Sequence, residues 1–204
     1  MNTFFTYLGG FIAVSVLLWY AYNVWTHKVP PSTPASWLMW AILDSLLLAT
    51  TLANHQPGWL PGAWTLGASS ASFALFVRGK WIWSYKETIS AIGAALCAYV
   101  WLKYGALLGL LAGIAAMNTA GIPNFIDLWR NPIRGTWPVW GFTVVACLCT
   151  LLGSDWSFGG IILAASAVLF NGTILVVVLF KKPTPVSEHV CHRSNRTYTL
   201  HGEI

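Results

Sequence analysis

The sequence predicts an all-α integral membrane protein with seven transmembrane helices. They form a 3+1+3 arrangement of parallel three-helix repeats, with the N-terminus outside. Three observations carry this expectation: an apolar composition, a series of apolar runs of spanning length, and basic residues confined to alternate loops. Of 204 residues, 56% are hydrophobic and only 8% charged, and the mean hydropathy is +0.63. A soluble chain carries about a quarter charged residues, so this composition belongs to the membrane class. The 13 tryptophans agree, because an apolar ring with a polar N–H settles at bilayer interfaces.

The runs follow in order and are long enough to cross about 30 Å of hydrocarbon, several of them narrowly. The first covers Thr6–Trp25, and its lead-in "MNTFFTYLGG" has no basic n-region or small-residue cleavage site. It is therefore read as a retained span and not as a signal peptide. Ser36–Ala53 and Gly62–Val77 complete the first triplet, Thr88–Leu102 is a linker span, and Ala106–Ile126, Val139–Leu152 and Phe158–Phe180 form the second. The corresponding units are residues 1–80 (first repeat), 81–104 (linker helix four), 105–182 (second repeat) and 183–204 (polar tail).

Basic residues set the orientation. Lys28 follows span one; Arg78, Lys80 and Lys86 follow span three; Arg130 and Arg134 follow span five; Lys181, Lys182, Arg193 and Arg196 follow span seven. Only Lys103 falls on the other side, so the ten-to-one bias puts the C-terminus in the cytoplasm. The net charge of +5 is thus a topology signal between apolar runs, and nucleic acid is not expected as a partner. The sequon-like "NGT" at Asn171 lies inside span seven and "NRT" at Asn195 in the cytoplasmic tail, so neither is expected to carry a glycan. Cys97, Cys147 and Cys149 lie in apolar runs and Cys191 in the tail, which gives no disulfide framework.

A weak internal repeat supports the triplets. "GGFIAVSVLLWYAYNVW" (Gly9–Trp25) lies along "GIAAMNTAGIPNFIDLW" (Gly113–Trp129), matching Gly9 to Gly113 and Asn23 to Asp127. "SWLMW" (Ser36–Trp40) matches "TWPVW" (Thr136–Trp140), and the third spans exit through "FVRGK" (Phe76–Lys80) and "VLFKK" (Val178–Lys182). One intervening span makes both triplets start on the same side, so they are parallel repeats about an axis along the bilayer normal. Transporters built this way hold their site between the repeats.

At these residues the chain resembles the PQ-loop/SWEET class of small seven-helix transporters. The matching dipeptide is Pro123-Asn124, followed by the basic loop "WRNPIRG"; in the first repeat Trp19-Tyr20 stands at the equivalent place. The resemblance implies a 3+1+3 architecture, an outside N-terminus, and Pro123 and Asn124 as a hinge. It also implies asparagines of these helices as solute ligands, here Asn118 and Asn171.

The residues give their own reasons. Pro123 removes a backbone N–H and leaves a carbonyl one turn earlier, near Thr119, without its helical partner. A packed kink is the plain reading; a hinge beside a site is the functional one. Asn118 and Asn171 offer amide donors and acceptors suited to a polar solute, set against a role as glue between helices. Ser69, with Ser70, sits at the depth matching Asn171. Trp40 and Trp140 are interfacial anchors, or the stacking floor of a pocket. Asp44, in "WAILDSLLLA", is the one acid well inside an apolar run. It must face protein or water or carry a proton, which makes it a proton-coupling candidate. Asp127, beside Arg130 and Arg134, pairs locally at the cytoplasmic mouth or serves as a latch there, a second coupling candidate.

No phosphate-binding Gly loop, HExxH or nucleophile triad is present, so neither a catalytic site nor a cofactor is expected. The tail's His189, Cys191, His192 and His201 fit no zinc spacing, and no metal is expected. Span seven contains no lysine, which excludes a retinal Schiff base. The expected function is alternating-access transport of a small polar solute across a lipid bilayer, with proton linkage through Asp44. A non-transporting receptor or scaffold and a membrane enzyme acting on a lipid are the alternatives, and homo-oligomerisation stays open.

Overall fold

Lipid offers no partner for backbone polar groups, so apolar runs of this length must close their hydrogen bonds inside helices. The computed structural model describes residues 3–26, 34–78, 81, 83–130, 132 and 136–181. The expected tail, residues 183–204, lies outside them. The described residues form seven helices: α1 (Thr3–Trp25), α2 (Pro34–Ala53), α3 (Trp59–Arg78), α4 (Tyr85–Tyr104), α5 (Ala106–Arg130), α6 (Trp137–Gly153) and α7 (Phe158–Phe180). Five of them, α1, α2, α3, α5 and α7, are long and apolar enough to cross a membrane. The other two differ for physical reasons. Lys86, Glu87 and Lys103 lie within α4, and α6 is 17 residues long, roughly 25 Å at 1.5 Å per residue.

Large apolar side chains cover the outside. Phe11, Phe73, Phe76, Leu102, Leu169 and Phe180 are all exposed, Leu102 at 85%. A water-soluble chain would turn such residues inward or onto a partner. In a bilayer that surface faces acyl chains.

Within this shell α3 lies against both α1 and α2, and α7 lies against both α5 and α6. The triplets meet where α1 packs on α6 and α2 packs on α5. Helix α4 sits to one side, on α5 and α2. The central core draws Ala13, Leu47, Trp64, Leu110, Met117, Cys147 and Ala167 from six of the seven helices.

Small residues set the spacing between triplets. A Cβ on Gly9 would lie 2.6 Å from the Ala146 carbonyl oxygen and collide with the Thr150 hydroxyl, so α1 and α6 touch backbone to backbone. A Cβ on Gly113 would lie 2.8 Å from Leu47 Cδ2, where α5 meets α2. Such small-residue contacts let membrane helices gain van der Waals packing where no hydrophobic drive between helices exists.

Three turns fix the loops. Gly105, alone between α4 and α5, has φ +91° and donates its N–H to the Trp101 carbonyl at 2.9 Å; glycine takes that backbone region without steric cost. The α2–α3 and α6–α7 loops each carry one left-handed residue, His55 at φ 57° and Trp156 at φ 60°. At the start of α4, Ser84 and Glu87 form a reciprocal capping box. Glu87 is 2% exposed and also accepts from the Ser36 hydroxyl, which ties the first turn of α2 to that of α4.

Candidate functional site

The polar residues inside the apolar shell fall into three groups. The first is Asp44, 5% exposed on α2. It lies one turn before both Leu47, which packs at Gly113 of α5, and Leu48, which packs at Gly62 of α3. No hydrogen bond reaches it from the described residues. A buried carboxyl without a partner is costly in a membrane helix.

The second group lies between α5 and α7. A groove of ≈ 300 Å³ is lined by Asn118, Thr119, Ile122, Phe125, Phe170 and Thr173. Asn118 Nδ2 donates to Ser166 Oγ at 2.9 Å, while its Oδ1 is buried without a partner. The hydroxyls of Thr119 and Thr173 donate to their own helix backbones at 2.8 and 2.7 Å. Pro123 lies one turn further along α5, which continues past it to Arg130; Asn124 is exposed. The freed carbonyl is that of Thr119, at the edge of this groove.

Asn171 does not join Asn118 there. It is buried, and its Nδ2 donates to the Ala167 carbonyl one turn back at 2.8 Å. Trp140 packs with Leu128, Ile174 and Val178 inside the second triplet, and its Nε1–H is buried without a partner. Trp40 packs against the central core instead. Ser69 is exposed, on a helix whose residues 73 and 76 also face outward. Asp127 lies in α5, with its side chain outside the described residues. Of the expected substrate residues, Asn118 lines the α5–α7 groove, and Asn171, Trp40, Trp140 and Ser69 are not among its lining residues.

The third group was not legible in the sequence. Gln56, in the α2–α3 loop, donates through Nε2 to Asp155 Oδ2 at 3.0 Å and reaches Ser157 Oγ at 3.4 Å. This clasp joins the matching loop of one triplet to that of the other. Asp155 Oδ1 accepts from the Ser157 N–H and hydroxyl at 3.0 and 2.7 Å. The Gln56 amide, with the Ser157 donors, holds the Asp155 carboxyl below its usual value of 3.8. Beneath the clasp is a hollow of ≈ 20 Å³ bordered by Thr6, Thr51, Gln56, Thr150 and Ser154 among others. That is room for about one water molecule. Thr51 Oγ1 and Gln56 Oε1 are both buried at its edge without partners.

Glu87 was also missed as a buried acid. Its signal was present, since "SYKE" (Ser84–Glu87) has the capping-box spacing. Gln56 and Thr51 had no comparable signal: a loop amide and a hydroxyl near a helix end mean little until a second loop is placed against them.

No protein-family model, curated protein or solved structure matches the chain.

Proposed function

We propose that this protein is a small-solute membrane transporter that works by alternating access between two parallel three-helix repeats. All seven helices cross the bilayer in this reading, with the N-terminus outside and the C-terminus in the cytoplasm. The observation that carries it is the neighbour pattern of the helices. Exchange α1, α2 and α3 for α5, α6 and α7, and the main contacts among these six helices map onto themselves: α1–α3 onto α5–α7, α2–α3 onto α6–α7, and α1–α6 onto α5–α2, while the packing of α4 on α5 and α2 falls outside the exchange. The aligned glycines Gly9 and Gly113 occupy equivalent places in that exchange, each at a contact between triplets. A two-part body with its seam along the membrane normal is what rocking about a central site requires.

The remaining polar groups take roles in that motion. The Gln56–Asp155 clasp closes its outer end, and the hollow beneath holds only about one water. The structure is thus read as outward-closed. Asp44, buried on α2, exchanges a proton when the seam opens to water. Away from the seam, in the α5–α7 groove, Asn118 keeps an unpartnered carbonyl oxygen for a solute donor.

One observation favours a second reading, a non-transporting receptor for an amphipathic ligand. The groove at Asn118 is far roomier than the hollow in the seam and is bordered by the exposed Thr119, Ile122 and Thr173.

Reconstituted vesicles separate the two. The parent protein should take up at least one solute from a panel of sugars, amino acids and vitamins. Asn118→Ala should weaken uptake about fivefold, the loss of one hydrogen bond of about 1 kcal/mol. Asp44→Asn should flatten the pH dependence of uptake at equal membrane abundance. Absence of flux for every solute by the parent transfers the case to the receptor.

A further inference from the structure

Apolar and oxygen-bearing side chains share the wall of the hollow under the clasp. Five of its lining residues carry side-chain oxygens: Thr6 on α1, Thr51 on α2, Gln56 in the α2–α3 loop, Thr150 on α6 and Ser154 after α6. A hydroxyl has one proton to donate and two lone pairs. Thr6 gives its proton to the Thr3 carbonyl at 2.8 Å and Thr150 to the Ala146 carbonyl at 3.0 Å. Ser154 Oγ accepts from the Trp156 N–H at 3.4 Å. The one amide donor of the set, Gln56 Nε2, is turned away to Asp155 and Ser157. What Gln56 presents inward is Oε1, which is buried and unpartnered, as is Thr51 Oγ1 on a residue only 4% exposed.

The formal charge beside the hollow is negative. The Asp155 carboxylate stands at its rim: a Cβ built on Gly160 would meet Asp155 Oδ1, Gln56 Oε1 at 3.0 Å and Ser157 Oγ at 3.2 Å. Thr51 and Thr150 lie in the last turns of α2 and α6, where helix dipoles are negative. The N-terminal turns of α1, α3 and α7 border it as well, at Thr6, Leu60 and Gly159, and the N–H groups of Gly160 and Ile161 are bonded to Ser157. No lysine, arginine or histidine lines the space.

We propose that this hollow is a binding site for one dehydrated monovalent cation of sodium size. One-water-sized, bordered by five oxygen-bearing side chains and next to a single carboxylate, it suits a hard univalent ion, for which helix C-terminal ends, like those of α2 and α6 here, serve as ligands in membrane carriers. A divalent ion needs more carboxylates than one, and no cluster of three His, Cys, Asp or Glu side chains forms among the described residues. The ion bridges α1, α2 and α6 beneath the clasp and so holds the two triplets together at their outer ends. The proposal does not depend on solute transport, because its readout is binding.

The test uses the purified full chain in detergent, melted in sodium, potassium and choline chloride at equal ionic strength, with retention of radioactive sodium measured alongside. Sodium should raise the melting temperature above that in the other two salts. Thr51→Val is the decisive variant, because the hydroxyl it removes has no protein partner. It should melt no lower than the parent in choline, since an unsatisfied buried hydroxyl has gone, and should lose both the sodium shift and the retained label. Thr173→Val, in the α5–α7 groove, should keep both. Equal melting of the parent in all three salts, the behaviour of a hollow that holds water alone, overturns the proposal. So does a sodium shift that survives Thr51→Val.

Discussion

Gly9 shows how one missing side chain decides a helix contact. Any β-carbon there meets the Ala146 carbonyl at 2.6 Å and the Thr150 hydroxyl, and neither is the far end of a flexible chain. Gly9→Val should cost about 1–3 kcal/mol, the range for overpacking a filled site, read as a lower melting temperature in detergent. Gly172, at which a Cβ would meet nothing within 4 Å, is the control and should tolerate alanine. Equal effects at the two positions would remove the α1–α6 contact from the account. Asp44 is the opposite case, a residue kept despite its cost. Its burial without a hydrogen-bond partner makes Asp44→Asn no less stable than the parent, so any change in uptake belongs to titration and not to folding.

The elements are held at their ends by polar contacts that the apolar runs cannot supply. Glu87 closes the first turn of α4 on Ser84 and reaches Ser36 on α2. Glu87→Ala removes a cap and a link between helices together, and should cost about 1–3 kcal/mol, measured by denaturation in mixed micelles. Ser84→Ala, which removes only the cap hydroxyl, should cost about 1 kcal/mol. The clasp of the α2–α3 and α6–α7 loops has a pH signature. Hydrogen bonds from Gln56 and Ser157 depress the Asp155 carboxyl below its ordinary 3.8. A depressed carboxyl contributes stability above the ordinary value and loses it as pH falls through the lower, folded one. The melting difference between the parent and Asp155→Asn should therefore be constant near neutrality, begin to shrink as pH falls through about 3.8, and vanish only below the lower, folded value. A difference that grows on acidification would reverse the sign of the interaction.

For the whole molecule the decisive prediction is orientation. With Lys or Arg at or after the ends of α1, α3, α5 and α7, and only Lys103, in the last turn of α4, at the other side, a reporter active in the cytoplasm should give signal when fused after Ile204. The same reporter inserted near Gly58, in the clasped loop, should be silent. The reverse pattern would place the clasp and its hollow at the cytoplasmic face and require the opposite direction of opening. The seven helices themselves were largely legible beforehand. The seven runs correspond to the seven helices, with ends that differ by a few residues: α3 begins at Trp59 instead of Gly62, and α5 runs through Pro123 to Arg130 instead of ending at Ile126. Those ends lie where apolar sequence gives way to interfacial residues, which hydropathy marks only loosely.

What the sequence determined by itself was the solvent. A chain with 56% hydrophobic residues and spanning-length runs has to satisfy its backbone locally, and helix formation depends on near neighbours only. Which faces meet is a different matter. These helices are apolar nearly all round, so no polar stripe tells the inner face from the lipid face. Sequence reasoning could name Asn118, Asn171, Ser69 and Asp44 as polar exceptions, but it could not tell which of them look at one another. Tertiary packing made those choices. It paired Asn118 with Ser166, turned Asn171 back onto its own helix, left Ser69 outside, and buried Asp44. It also drew Thr6, Thr51, Gln56, Thr150 and Ser154 around one hollow. Those five residues are separated by up to about 150 positions in the chain, and only the angle and depth at which α1, α2 and α6 pack can bring their oxygens together.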